Sequence, residues 1–371
     1  MNDEVDVGGG GEGQNLNWVP VNNQFLPEPL GIYQREGRNG ILVDTTDFNV
    51  IDYFELFFHD NLYETIAKET NLYAEQFFDN PVDVSQKSRF NDWKETSKEE
   101  IQSFLGLEIG MTLCQKPSVE SYWSQYWLNA TPAYGQVMPR KRYEILKSFL
   151  HFNNNENYIS RGEENYDPLF KIRPILNEVD STLDTVYQPA CELSLDESML
   201  LFKGRIAYKQ YTPNKPIKWG LKEYVLAEAK TGYVLRHLPY VGKYTIPDNN
   251  DESLATEKVV FELCKNYENK GYKVYLDNFY NSPKLCQNMK QRGIGVCGTV
   301  RANRKGFPQE LKTMVLRKSD PPVFRQCGNL LACSWEDRKR VNMVSTISTN
   351  TTEQKEVSVT YRGTKNQKQD S

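Results

Sequence analysis

Apolar positions in the first half of the chain recur at three- and four-residue steps. Between residues 47 and 78, Tyr53, Phe54, Phe57, Phe58, Leu62 and Ile66 follow this spacing. The pattern predicts a helix with an aromatic-rich stripe turned to the core. In ETSKEEIQSFLGLEIG, Thr96 stands three residues before Glu99, ahead of an apolar-periodic run. That arrangement predicts a capping box and a helix start. RKRYEILKSFLHF predicts a further helix over residues 140–152. Residues 31–190 therefore read as a mainly helical domain.

The period changes after residue 190. LSLDESM, LKEYVLAEA and YVLRHLPYV alternate in the manner of strands, and AKTGY supplies a hairpin turn with Gly232 as the permissive residue. KGRIAYKQY is a further strand-like segment. SLATEKVVFELCKNYENKG predicts a helix burying Val259, Val260, Leu263 and Tyr267, with Gly271 placed as its C-terminal cap. YKVYLDNFYNS is a short strand closed by Asp277. SPKLCQNMKQRG predicts a helix with Ser282 as N-cap, Pro283 at its first position and Gly293 at its end. IGVCGTV is a last buried strand.

The order is three strands, helix, strand, helix, strand, which is the order of the ribonuclease H fold. We therefore expect an α/β protein: a ribonuclease H-like mixed sheet over residues 191–303, preceded by the helical domain. In LSLDESM, Leu193 and Leu195 face one way and Ser194 and Asp196 the other, so Asp196 and Glu197 sit at the expected end of a half-buried strand. A carboxylate there needs water, a cation or a metal. In the expected sheet the first and fourth strands are neighbours, so Asp196 and Asp277 could share Mg²⁺, a hard cation that takes oxygen ligands. The competing reading is a pair of solvated strand ends.

Composition narrows the class. The chain has 371 residues, 39% hydrophobic and 25% charged, as expected of a globular protein of two or three domains. No apolar run approaches the roughly 18 residues that span a bilayer, and we expect neither a membrane partner nor a signal peptide. Residues 1–30 hold five acids, no Lys or Arg and four consecutive glycines, and read as a disordered tail. The net charge of −4 hides basic stretches: nine Lys or Arg against four acids over residues 196–246, and thirteen against four over residues 284–340. Such an imbalance suggests a polyanion partner, against the alternative of a mixed solvated surface. Seven scattered cysteines with no C-x-x-C pair give no zinc-site or disulfide pattern, and a reduced compartment fits them. The three histidines, His59, His151 and His237, have no spaced partners.

LSLDESMLLFKGRIAYKQYTPNKPIKWGLKEYVL, YLDNFYNSPKL and GTVRANRKGFPQEL resemble the piggyBac transposase family, from about residue 48 onward. The resemblance implies a DDD transposase of the ribonuclease H superfamily that cuts and pastes double-stranded DNA at TTAA sites with Mg²⁺, acts in the nucleus and forms a homodimer. Asp196 matches the first catalytic aspartate and Asp277 the second; Glu197 reads as a neighbour. Lys215, Arg301, Arg304 and Lys305 lie in family-like, basic stretches and are the expected DNA contacts. The family's third aspartate follows a β-rich insertion, which we place at residues 304–371 and expect to be incomplete. Asp320, Asp337 and Asp370 lie in the wrong context to replace it, and no Cys-rich zinc-binding tail is present. We therefore expect a truncated chain with a weak or incomplete Mg²⁺ site and no cutting activity of its own. The alternative is a domesticated, non-catalytic DNA-binding or protein-interaction module. A Mg²⁺-dependent hydrolase of small phosphates is a third reading, weakened by the lack of a phosphate-cradling Gly-rich loop.

Overall fold

The computed structural model describes residues 16–31, 39–79, 88–213, 215–246 and 253–351. It divides into two compact units, Gln34–Asn266 and Met1–Tyr33 with Tyr267–Ser371. Strand β1 (Val19–Pro20) belongs to the second of these.

The unit Gln34–Asn266 opens with β2 (Gly40–Ile41), which pairs antiparallel with β3 (Tyr187–Gln188). Between them, among the described residues, lie six α-helices: α1 (Val50–Glu55), α2 (Asp60–Asp79), α3 (Lys98–Leu113), α4 (Pro132–Val137), α5 (Arg140–Phe149) and α6 (Arg173–Val186). The single long aromatic helix expected from residue 47 is broken before Asp60. Asp60 lies in the first turn of α2, where a carboxylate favours a helix start, and the His59 carbonyl accepts the Leu62 amide. Phe54 and Phe58 stack across the break with ring centroids 4.7 Å apart. Leu62 and Ile66 are buried with Tyr63, Ala67 and Ile101, so the stripe does face a core. The α3 cap falls one residue later than expected: Ser97 Oγ accepts the Glu100 amide, while Thr96 Oγ1 donates to the Glu100 side chain. Phe149 is ringed by Tyr73, Phe77, Phe90 and Trp93, with centroids 4.7–6.1 Å from its own.

The same unit continues with β4 (Glu192–Leu201), β5 (Gln210–Tyr211), β6 (Trp219–Glu228) and β7 (Val234–Pro239), then α7 (Ala255–Cys264). Strand β6 carries β4 antiparallel along its length, and pairs in turn with β5 and β7. Of the KGRIAYKQY segment only its last two residues form a strand. Gly232, at φ +74°, makes the expected β6–β7 turn. On β7, His237 is 3.2 Å from Asp180 of α6 and 3.8 Å from Glu223 of β6. The bond to Asp180, with Glu223 behind it, lifts the imidazole to about 9, against burial that pulls it down. Its folded pKa stands above the ordinary 6.5. The stabilisation is therefore complete below pH 6.5 and is lost as pH rises through about 9. We expect wild-type protein to lose on the order of 2–3 kcal/mol between these limits. Thermal melts across that range should show the loss, and His237→Gln should flatten it.

The unit formed by Met1–Tyr33 and Tyr267–Ser371 holds β8 (Lys273–Leu276), α8 (Pro283–Gln291), β9 (Gly295–Thr299), α9 (Gln309–Thr313), β10 (Val323–Cys327), β11 (Leu330–Glu336) and β12 (Arg340–Ser345). Its strands run β1-β10-β11-β12-β9-β8, parallel only between β8 and β9. Ser282 caps α8 through the Leu285 amide at 3.0 Å, and Gly293 ends it at φ +69°, both as expected. Residues 16–31 differ from the expected disordered tail. Val19 and Pro20 pair with β10, Phe25 is buried, and Trp18 donates to the Gly306 carbonyl at 2.8 Å. The remainder of that expected tail, residues 1–15, lies outside the described residues, as does Asp370. Within the unit Gln34–Asn266, α6 packs on β7, and α7 on β6 and β7. Among the described residues no helix is long and apolar enough to cross a membrane.

Candidate metal and nucleic-acid site

Asp196 is the fifth residue of β4 and not its end: the strand runs on to Leu201. Strand β6 pairs with β4 from Leu193↔Glu228 to Leu201↔Gly220, and this ladder extends the strand beyond its apolar alternation. Leu193 and Leu195 are buried on one face; Asp196 is exposed on the other, opposite Val225. One Asp196 oxygen accepts the Glu197 amide at 2.8 Å. Glu197 belongs to the opposite face, opposite Tyr224. Burial, then the adjoining Asp196, pushes its carboxyl up, and Lys215 and Lys222 oppose that rise. Lys215 lies 3.5 Å from the Glu197 carboxylate and donates to its carbonyl at 3.2 Å. Its charge is thus engaged within the strand pair.

Asp277 follows the last residue of β8, at the C-terminal end of the parallel β8–β9 pair. It opens a tight turn. Its Oδ1 accepts the Phe279 amide at 2.8 Å and its carbonyl accepts the Asn281 amide at 3.1 Å. Asn281, fully buried, donates to the Gly298 carbonyl of β9 at 2.8 Å and the Val344 carbonyl of β12 at 3.3 Å. The loop after β9 folds over the same turn. Arg301 donates to the Asn278 side chain at 3.2 Å, and the Arg304 guanidinium donates to the Phe279 carbonyl and, at 3.4 Å, to that of Asn278. Lys305 is exposed on the same loop. The turn therefore presents an exposed carboxylate beside a cationic loop, on a frame of three strands.

The site residues fall into two groups. Asp277, Arg301, Arg304 and Lys305 are gathered in one unit, and Asp196 and Lys215 lie in the other. Exposed aspartates with a backbone-anchored oxygen match the donor chemistry that Mg²⁺ takes. Among the described residues no three His, Cys, Asp or Glu side chains cluster closely enough to hold a metal. Asp320 and Asp337 serve local contacts: the Asp320 carboxylate accepts the Arg317 amide at 2.8 Å, and Asp337 lies 3.5 Å from Lys318. Sequence reasoning missed Asn281 and Gly298. An isolated glycine inside the strand VCGTV is itself a signal of close backbone approach.

Known proteins share this fold. The family model described as Transposase IS4 matches residues 50–370. Human PiggyBac transposable element-derived protein 5 is 23% identical over 307 residues, covering 78% of this chain and 55% of its own length. Human PiggyBac transposable element-derived protein 2 is 26% identical over 310 residues, covering 81% of this chain and 48% of its own. This chain thus spans about half the length of these relatives. A cryo-EM structure of the piggyBac transposase synaptic complex with hairpin DNA superposes with a TM-score of 0.72 at 24% identity, covering 86% of this chain and 65% of that one. A fold shared at that score and a family match over most of the sequence lead to one conclusion: the chain belongs to the piggyBac-type Transposase IS4 family.

Proposed function

We propose that this is a transposase-derived protein that binds double-stranded DNA, with Asp196 and Asp277 as the metal-holding carboxylates of a ribonuclease H-like core. The observation that carries the reading is the braced Asp277 turn, an exposed carboxylate held beside Arg301, Arg304 and Lys305. Phosphates would lie along the basic loop, and the neighbouring aspartate would face the scissile bond. Bound Mg²⁺ supplies Lewis-acid polarisation of a phosphoryl oxygen and activation of the attacking group. The protein's own role is to fix each carboxylate through a backbone amide and to offer cations to the DNA backbone. The synaptic complex of the structural relative contains DNA, which supports a DNA partner here. We extend the proposal to a nuclear location and a homodimer.

The second reading is a binding module without chemistry. It rests on the family resemblance, which implies a third aspartate beyond Asp196 and Asp277. In-line phosphoryl transfer needs both the entering and leaving oxygens clamped, and two carboxylates are one short of the set the family resemblance implies. We therefore propose that residues 1–371 by themselves bind DNA without excising it.

One experiment tests binding and chemistry together. Purified chain is titrated onto a TTAA-flanked duplex end at several salt concentrations in Mg²⁺, and the products are then resolved. We expect affinity to fall steeply with salt, because each phosphate contact releases counterions. Changing Lys215, Arg301, Arg304 and Lys305 to Ala should lower the log–log slope by roughly two to four. Salt-insensitive binding contradicts the DNA reading, and excision that Asp196→Ala abolishes contradicts the missing-ligand reading.

A further inference from the structure

The β4–β6 connection and the strand ends that flank it carry charge of one sign only. Residues 198–222 contain six Lys or Arg and no Asp or Glu. Within this segment Tyr211 and Trp219 are direct cross-strand partners on the β5–β6 pair, so their rings share one face. The centroids lie 4.7 Å apart with planes tilted by 41°. About half of each residue is open to solvent, 51% for Tyr211 and 53% for Trp219. Lys209 Nζ lies 5.5 Å over the Trp219 ring and also donates to the Gly204 carbonyl at 2.9 Å, which draws the exposed Lys203 and Arg205 segment toward the rings. Lys218, beside Trp219, is exposed as well.

Aromatic cross-strand pairs often serve only to stabilise a sheet. This one differs in its surroundings. It sits on a two-residue strand, half of its surface is open, and every charged group in its segment is a cation. Exposed aromatic faces among cations that track a backbone are what holds unpaired nucleic-acid bases, since every base has a π-face and the phosphates meet the charges. A base inside a duplex offers no free face, so the pair selects for unpaired bases.

The position fits the site. Strand alternation places Trp219, Leu221, Glu223 and Val225 on one face of β6, and Val225 pairs with Asp196. Trp219 therefore lies on the sheet face of Asp196, roughly 16–20 Å along the ladder at strand spacing. Gly220, beside Trp219, lets β6 lie close against β4: a Cβ there would meet the Leu200 carbonyl oxygen at 2.1 Å.

We infer that Tyr211 and Trp219 form a stacking platform for unpaired bases of a DNA strand that runs toward Asp196. The inference rests on the DNA-binding reading above and adds to it a site for single-stranded DNA. The test uses the full chain with an oligonucleotide carrying 2-aminopurine, single-stranded and as a duplex. We expect the wild type to quench the single-stranded probe. Trp219→Ala and Tyr211→Ala should each weaken single-strand binding by roughly 5- to 100-fold, while duplex affinity holds and Trp219→Phe retains most of the binding. Melting curves of each variant show that it is folded, and wild-type quenching stands independently of any variant. Equal losses on single strand and duplex, or no quenching with normal duplex binding, overturn the platform alone. Failure of the wild type to bind DNA in either form overturns the DNA-binding reading as well.

Discussion

Gly298→Ala lowers the melting temperature by roughly 6–12 °C, corresponding to about 3 kcal/mol. Gly298 is sandwiched in β9, paired to Leu276 of β8 on one side and to Val344 of β12 on the other. A Cβ there would meet the Leu276 carbonyl oxygen at 2.1 Å, its carbon at 2.9 Å and the Asn281 amide nitrogen at 3.1 Å. The first two are backbone atoms and cannot rotate away. The added methyl must therefore push the paired strands apart directly beneath Asp277, so the variant should also weaken whatever that carboxylate binds. Gly106→Ala is the control. It lies inside α3 with nothing within 4 Å of the new Cβ, and alanine there should stabilise by about 0.5–1 kcal/mol. A Gly298→Ala melt equal to wild type would mean that the β8–β9 register is not the one described.

Asn281→Asp is expected to be more damaging still. The Asn281 amide donates to two buried carbonyls, and its oxygen accepts the Cys286 thiol at 3.1 Å. Alanine removes these bonds and leaves buried acceptors unmatched, at a cost of about 2–3 kcal/mol. Aspartate keeps the size but replaces the donor with an acceptor. It then faces the Gly298 and Val344 carbonyls from inside a fully buried site. We expect it either to protonate or to open the turn, costing more than alanine and exposing the 277–281 segment to protease. Denaturation of both variants, with limited proteolysis, measures the order. Aspartate tolerated as well as alanine would show that the buried amide does not tie the turn to β9 and β12.

The sequence carried the element order well because that order rests on local signals. Alternation around Leu193 and Leu195, the Ser282–Pro283 start of α8, and Gly232 and Gly293 at positive φ all act within a few residues. What failed was non-local. The true length of β4 depends on β6, some twenty residues on, and the order in residues 16–31 depends on β10, some three hundred residues on. The break between α1 and α2 was hidden because the aromatic spacing continues across it while the backbone does not. The candidate site was legible as residue types but not as contacts. Lys215 and Arg304 read as free cations in a basic stretch, yet one is engaged by Glu197 and the other holds the Asp277 turn. Asn281 stood within the same YLDNFYNS motif as Asp277, and only its burial reveals that it supports the site. Tyr211 and Trp219 gave no periodic signal, since their pairing comes from a strand of two residues.

The metal role proposed for Asp196 and Asp277 is the part of the account most open to direct test. Ferrous iron can stand in for Mg²⁺ at an oxygen site, and with ascorbate and peroxide it generates hydroxyl radicals that cut the chain beside the metal. A shared site predicts two cuts from one bound ion, one near residue 196 and one near residue 277. Excess Mg²⁺ should suppress both, and both should disappear in Asp196→Asn and equally in Asp277→Asn. Cutting near only one aspartate, or at one site unaffected by loss of the other carboxylate, would contradict a shared metal.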